Sequence, residues 1–151
     1  MKPHPAFAGR DIPRRERLGP FLLRILGVDD LDEDMAAIKE SEASLVGVSD
    51  GDWPLGLTRE ADLIDLAWHQ REFEAQRSFA WVIADAETDA YLGCAYIYPE
   101  WDAEGPLQAW WWFRDGARSR GDLAAFEGLF KAWLDGPPWP DLPVLMRAPP
   151  G

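Results

Sequence analysis

Residues 107–134, LQAWWWFRDGARSRGDLAAFEGLFKAWL, contain a strand, a polar loop and a helix in immediate succession, and their reading decides the fold. Leu107 to Phe113 are continuously apolar apart from Gln108, and the consecutive Trp110, Trp111 and Trp112 place indoles on both faces of a strand. Such a strand belongs inside a sheet covered on both sides. From Leu123 onward, Phe126, Leu129, Phe130, Trp133 and Leu134 recur at helical spacing as a wide apolar stripe, and Gly136, Pro137 and Pro138 stop the helix. Between the two elements lie Arg114, Arg118, Ser119, Arg120 and Gly121, which places cations and a permissive backbone just before a helix start. A helix N-terminus offers unpaired N–H groups and a positive dipole end, the combination that binds phosphate. The same residues allow a second reading. Ser119-x-x-Asp122 is a capping box, in which the protein's own carboxylate answers the helix N-terminus.

Working outward, residues 79–84 and 91–98 read as two antiparallel strands joined by a polar connection of hairpin length. Residues 21–26, FLLRIL, read as a short strand after Gly19-Pro20. A helix is expected from about Leu31, with Leu31, Met35 and Ile38 facing the core. Residues 47–56 form a loop rich in glycine, and Thr58 caps a second helix whose core candidates are Leu63, Leu66, Ala67 and Phe73. His69 is expected on that helix's surface. Residues 143–147 supply a last strand. The order is strand, helix, helix, three strands, helix, strand.

The 151 residues suit one domain. The net charge of −12 argues against nucleic acid as a partner, since affinity for a phosphate backbone rests on lysine and arginine. No apolar run approaches the roughly 20 residues that would cross a membrane. A lone cysteine, Cys94, excludes an internal disulfide, and with no signal peptide visible the expected location is the cytoplasm. Residues 1–24 carry six cations against Asp11 and Glu16, a local charge of +4, so residues 1–17 are expected as a basic, flexible leader before a single domain over residues 18–151. With His69 and His4 the only histidines, neither a zinc site nor a Ser/His/Asp arrangement can be assembled.

Three matches carry a family resemblance: the F-x-L-R-x-L strand at residues 21–26, the strand YLGCAYIY at residues 91–98 with its internal glycine, and the sequence Arg118-Ser-Arg-Gly121-Asp-Leu123 before the long helix. Over roughly residues 18–147 the chain resembles the GNAT family of acetyl-CoA-dependent N-acetyltransferases. The resemblance implies a mixed, mainly antiparallel α/β sheet covered by helices on both faces. It also implies acetyl-CoA as co-substrate, held through Phe113, Arg114, Arg118, Ser119, Arg120 and Gly121, and no metal. The loop departs from the family's R/Q-x-x-G-x-G/A pattern at Leu123, which stands where a second glycine or alanine is usual. The family's later helix and strands, which often supply a tyrosine to protonate the leaving thiolate, have no counterpart up to Gly151, so that proton is expected from another group or from water.

The activity implied is acetyl transfer to an unidentified amine, a small molecule or peptide that the two acidic loops, residues 47–56 and 100–106, would favour as a cation. Glu100 is the candidate general base, with Asp102 beside it, and Tyr98 the candidate proton donor, although the alternation of Leu92, Cys94, Tyr96 and Tyr98 equally makes Tyr98 a core residue. Cys94 has no electropositive neighbour in sequence and reads as a buried small hydrophobe. Trp53 and Trp101, in the two acidic loops, are the candidates for contacting the acceptor. The alternative function is a non-catalytic domain of the same fold that binds CoA or a protein partner. A homodimer is compatible with either, and an interaction module using exposed tryptophans is a third reading.

Overall fold

The computed structural model describes residues 1–149. Six strands form one sheet in the order β1 (Arg15–Leu18), β2 (Phe21–Ile25), β3 (Phe79–Asp85), β4 (Tyr91–Pro99), β5 (Leu107–Phe113) and β6 (Val144–Arg147). Neighbours are antiparallel from β1 to β5, whereas β5 and β6 are parallel. A parallel pair needs a crossover, and the helix α4 (Phe126–Leu134) provides it. Between β2 and β3 the chain forms α1 (Leu31–Glu40), the single turn α2 (Glu42–Leu45) and α3 (Arg59–Glu74).

The two-residue period of the strands sorts the core into two layers. On one face, Phe79, Trp81 and Ile83 of β3 with Ala109 and Trp111 of β5 pack against Phe126, Phe130 and Leu134 of α4. On the other, Ala80, Val82, Cys94, Tyr96 and Trp112 pack against Met35 and Ile38 of α1, Leu45 of α2 and Leu66 of α3. The tryptophan triplet is divided between faces as the sequence predicts, with Trp111 on the α4 side and Trp112 opposite.

Three expectations change. Residues 1–17 are not a free leader: Phe7 and Ile12 are buried among Phe79 and Trp139, and Arg15–Leu18 forms the edge strand β1 on β2. The charge of this segment hid its two apolar anchors. On α3, Thr58 does cap the helix, accepting a hydrogen bond from the Ala61 amide at 3.1 Å. The helix, however, turns Asp62, Leu66, His69 and Phe73 to the sheet and leaves Leu63 and Ala67 exposed. The polar members of that stripe disguised it. On β4, a register shift opposite Ile83 and Ala84 pairs Gly93 with Ile83 and Tyr91 with Ala84, so Leu92 faces α4 while Cys94, Tyr96 and Tyr98 face the opposite side.

Candidate functional site

Parallel β5 and β6 stay together only over the register Leu107↔Val144 to Trp110↔Arg147. β6 ends at Arg147 while β5 runs on to Phe113, and two cavities lie along this extension of β5. One cavity of about 170 Å³ is lined by Val48, Trp112, Phe113, Arg118, Leu123 and Pro149. A second, of about 250 Å³, lies between Trp111, Phe113, Leu123, Ala124 and Pro149. Of the predicted Arg/Gly/Ser loop, Arg118 lines the first of them.

The loop itself is more tightly built than its sequence suggests. It begins with a short 3-10 turn, Asp115–Ala117, and a second 3-10 turn, Leu123–Ala125, precedes α4, so the α-helix starts at Phe126 rather than Leu123. Glu40 and Ser41, at the end of α1, fasten its first half. The Arg114 guanidinium donates to both Glu40 carboxylate oxygens at 2.9 and 3.1 Å, the Gly116 amide to Glu40 at 2.8 Å and the Asp115 amide to the Ser41 hydroxyl at 2.8 Å. Arg120 donates to both oxygens of Asp122 at 2.9 and 2.8 Å and also to Asp85 at the end of β3. These contacts hold Asp85 and Asp122 below the usual carboxylate range, the Arg120 hydrogen bonds being the main cause in each.

Asp122 therefore does not cap a helix, and no side-chain capping bond forms there. The capping-box reading fails because Arg120, two residues away, takes both carboxylate oxygens. Arg114 and Arg120 are structural cations. Arg118 differs: it pairs only with Asp115, one turn earlier at 3.0 Å, remains half exposed, and lines the cleft beside Phe113. Ser119 and Gly121 are exposed, with open space around the Gly121 α-carbon. Of the six predicted cofactor contacts, the structure thus brings Phe113 and Arg118 into one cavity, leaves Ser119 and Gly121 exposed outside its lining, and diverts Arg114 and Arg120 to internal carboxylates.

The predicted catalytic pair lies at the other end of the sheet register, where Tyr98 faces Gln108 and Pro99 faces Leu107. Glu100 accepts a 2.7 Å hydrogen bond from the Gln108 amide group, and its carbonyl meets the His4 ring at 2.9 Å. Tyr98 instead points into a cavity of about 170 Å³ on the α3 side of the sheet. Its neighbours there are Trp53, Trp68, Trp110, Asp65 and His69. Tyr96 stacks on Trp110 with ring centres 4.0 Å apart, and His69 stands 5.4 Å from Tyr96 and 3.4 Å from the Asp65 carboxylate. His69 is buried, contrary to the surface position its neighbours suggested. Of the two candidate acceptor contacts, Trp53 lines this cavity, whereas Trp101 is fully exposed beside a different hollow.

The two cavities adjoin. Trp110 lines one and Trp112, two residues on and on the same sheet face, lines the other, as Ser49 and Val48 do from the loop above. Arg147 at the end of β6 ties them together, donating to the Val48 carbonyl at 2.8 Å and lying over the Trp110 ring.

A buried polar cluster sits deeper, between α1, α3 and β4. The Tyr91 hydroxyl bonds Asp34 and lies 2.9 Å from the Cys94 sulfur, and Asp62 is buried beside them. Burial, reinforced by the Asp62 charge, pushes the Asp34 carboxyl up to about 8. Burial likewise drives the Cys94 thiol far up, which keeps it a structural residue, as its sequence surroundings indicate. Among the described residues no group of side chains has the composition of a metal site. No helix there is long and apolar enough to cross a membrane.

No protein-family model and no curated protein sequence matches the chain. Solved structures do. RimL, an alpha-N-protein acetyltransferase of ribosomal L7/L12 in complex with coenzyme A, superposes with a TM-score of 0.71 at 10% identity, over 87% of this chain and 73% of its own. This chain has the GNAT fold. MccE, a microcin C7 self-immunity acetyltransferase in complex with acetyl-CoA and AMP, gives 0.65 at 11% identity over 82% of this chain and 68% of its own. A GNAT-family acetyltransferase from Bacillus anthracis gives 0.60 at 10% identity over 80% and 66%. The GNAT fold expected from residues 21–26, residues 91–98 and the loop before α4 is thus the fold observed, with its mainly antiparallel sheet and helices on both faces.

Proposed function

We propose that this protein transfers an acetyl group from acetyl-CoA to an amine. The observation that supports this reading most directly is the cleft along the part of β5 that runs on past β6, lined by Phe113, Leu123 and Arg118, on a fold whose solved examples hold coenzyme A or acetyl-CoA. Acetyl-CoA supplies an activated thioester. Arg118 is the phosphate contact, because an exposed ion pair between residues three apart is worth only about 0.3–0.5 kcal/mol and is readily exchanged for a phosphate. Leu123 in place of a glycine narrows the approach, and the exposed Ser119 and Gly121 leave backbone accessible beside it. Arg114 and Arg120 hold the loop in shape without touching the ligand.

The adjoining aromatic cavity provides the proton-handling groups. Glu100 is tied to Gln108, so His69, oriented by Asp65, is the better acceptor for the proton an ammonium must lose before its nitrogen lone pair can attack the thioester carbon. Burial, reinforced by the Asp65 charge, pushes the Tyr98 phenol well above its ordinary value, so it stays neutral and is a poor donor to the departing sulfur; the second proton that the amine sheds as the amide forms reaches the thiolate through water. Calorimetric titration with acetyl-CoA tests the reading. Heat is expected at millimolar ligand or below, with Arg118→Ala weakening binding about tenfold or more through loss of a charge-assisted contact, at unchanged Tm. Absence of heat, or identical affinity in Arg118→Ala and in a Gly121→Glu variant that obstructs the loop, removes the acetyl-CoA site from this cleft.

A further inference from the structure

We infer that the cavity between α3 and the α3-side face of β4 and β5 is the acceptor pocket, and that it takes an aliphatic ammonium of about six heavy atoms. The inference deepens the acyl-transfer reading by naming the acceptor class, and it rests on that reading only for the word acceptor.

Size comes first. A dry cavity of about 150 Å³ accommodates benzene, so the roughly 170 Å³ here holds a group of similar bulk. Its walls come next. Trp53, Trp68, Tyr98 and Trp110 present aromatic surface, which is attracted to cations as well as to alkyl chains. Tyr96, Tyr98 and Trp110 stand nearly parallel, with interplanar angles of 6° and 17° between neighbours, so the wall is preformed. The charge is the deciding feature. Asp65 is the one carboxylate lining this cavity, its partner there is the His69 ring at 3.4 Å, and the side chain is half exposed, so it can receive an incoming cation. No arginine or lysine is among its lining residues; Arg147, outside them, lies over the Trp110 ring, so an incoming cation is met by Asp65 with Trp53, Trp68 and Tyr98, and Trp110 serves as apolar wall. An anion would meet Asp65 and the field of a chain with net charge −12, and a neutral alcohol would leave the carboxylate without an added partner. The position is consistent with transfer, because Trp110 of this pocket and Trp112 of the cleft neighbour one another on β5.

The test compares n-pentylammonium with 1-pentanol, equal in heavy atoms and different in charge, by NMR titration of the tryptophan indole N–H signals of the intact protein without acetyl-CoA. Pentylammonium is expected to shift the Trp53, Trp68 and Trp110 indole signals in a saturable manner, with 1-pentanol at least tenfold weaker. Asp65→Asn should bring the amine down to the affinity of the alcohol while leaving the indole signals of tryptophans outside the pocket unchanged in the free protein. Equal binding of the two compounds, binding of neither, or undiminished amine binding by Asp65→Asn overturns the inference. Because no acetyl-CoA is present, failure here is separate from failure to bind acetyl-CoA in the cleft.

Discussion

Gly93→Ala is expected to lower stability by roughly 3 kcal/mol or more, seen as a fall in Tm of about 10 °C. Gly93 lies in the middle of the sheet, paired with Ile83 of β3 on one side and Phe113 of β5 on the other. A methyl group at this position would run into the Trp112 carbonyl oxygen and come within 2.9 Å of the Phe113 α-carbon. Both obstacles are backbone, so no rotamer change relieves them. Only a separation of β4 from β5 does, next to the point where β5 already loses β6. The usual gain of about 0.4–1 kcal/mol from restricting the unfolded chain is too small to offset this. Gly128→Ala supplies the contrast: Gly128 sits within α4, exposed, with nothing near its missing methyl, and alanine there should stabilise by about 0.5–1 kcal/mol. Calorimetric Tm values for the two variants should therefore move in opposite directions. A Gly93→Ala protein melting with the wild type would show that the two strands are not packed at this distance.

Gly93 also shows what a sequence does and does not disclose. Its place in an apolar strand marks close backbone approach, and the alternation of Trp110, Trp111 and Trp112 fixes which indole meets which helix, because strand periodicity is local information. The α4 stripe is legible for the same reason. The loop from Arg114 to Asp122 is legible only as a position. Its three arginines look like a phosphate grip until Glu40 and Asp85, 74 and 35 residues away from their partners, arrive to neutralise two of them. Nothing local to the loop announces those carboxylates. His69 failed to register because the inward stripe of α3 contains Asp62 as well as Leu66 and Phe73, and a search for apolar residues settles on Leu63 and Ala67 instead. The aromatic cavity needed α3, β4, β5 and the Trp53 loop together. The cleft beside Phe113 needed β6 to stop short of the end of β5, which is a property of the sheet and not of either strand.

The second large effect concerns pH. Stability is expected to fall as pH rises from 5 to 8.5, and Asp34→Asn is expected to abolish much of that fall. In an unfolded chain an aspartate titrates near 3.9, whereas burial and the neighbouring Asp62 raise Asp34 to about 8 in the folded protein, with Asp62 itself also raised by burial. Between those values the folded state binds more protons than the unfolded state, so each unit of added pH costs up to about 1.4 kcal/mol of stability per proton. The contribution is complete below pH 4 and is lost on passing pH 8. The depressed carboxylates Glu40, Asp85 and Asp122 act with the opposite sign, but their stabilisation is lost only as pH drops below about 4, outside this window. Asparagine is isosteric, still accepts the Tyr91 hydroxyl hydrogen bond at its oxygen, and cannot ionise. Its amide hydrogens can also serve Asp62, whose Oδ2 is buried without a partner among the described residues. At pH 5 the variant should match the wild type within about 1 kcal/mol, and at pH 8.5 it should be the more stable by roughly 2–4 kcal/mol, a Tm difference of about 5–15 °C by calorimetry. Parallel Tm curves for the two proteins across this range would mean that Asp34 is ionised in the folded state, and that the carboxyls between α1 and α3 are reached by water.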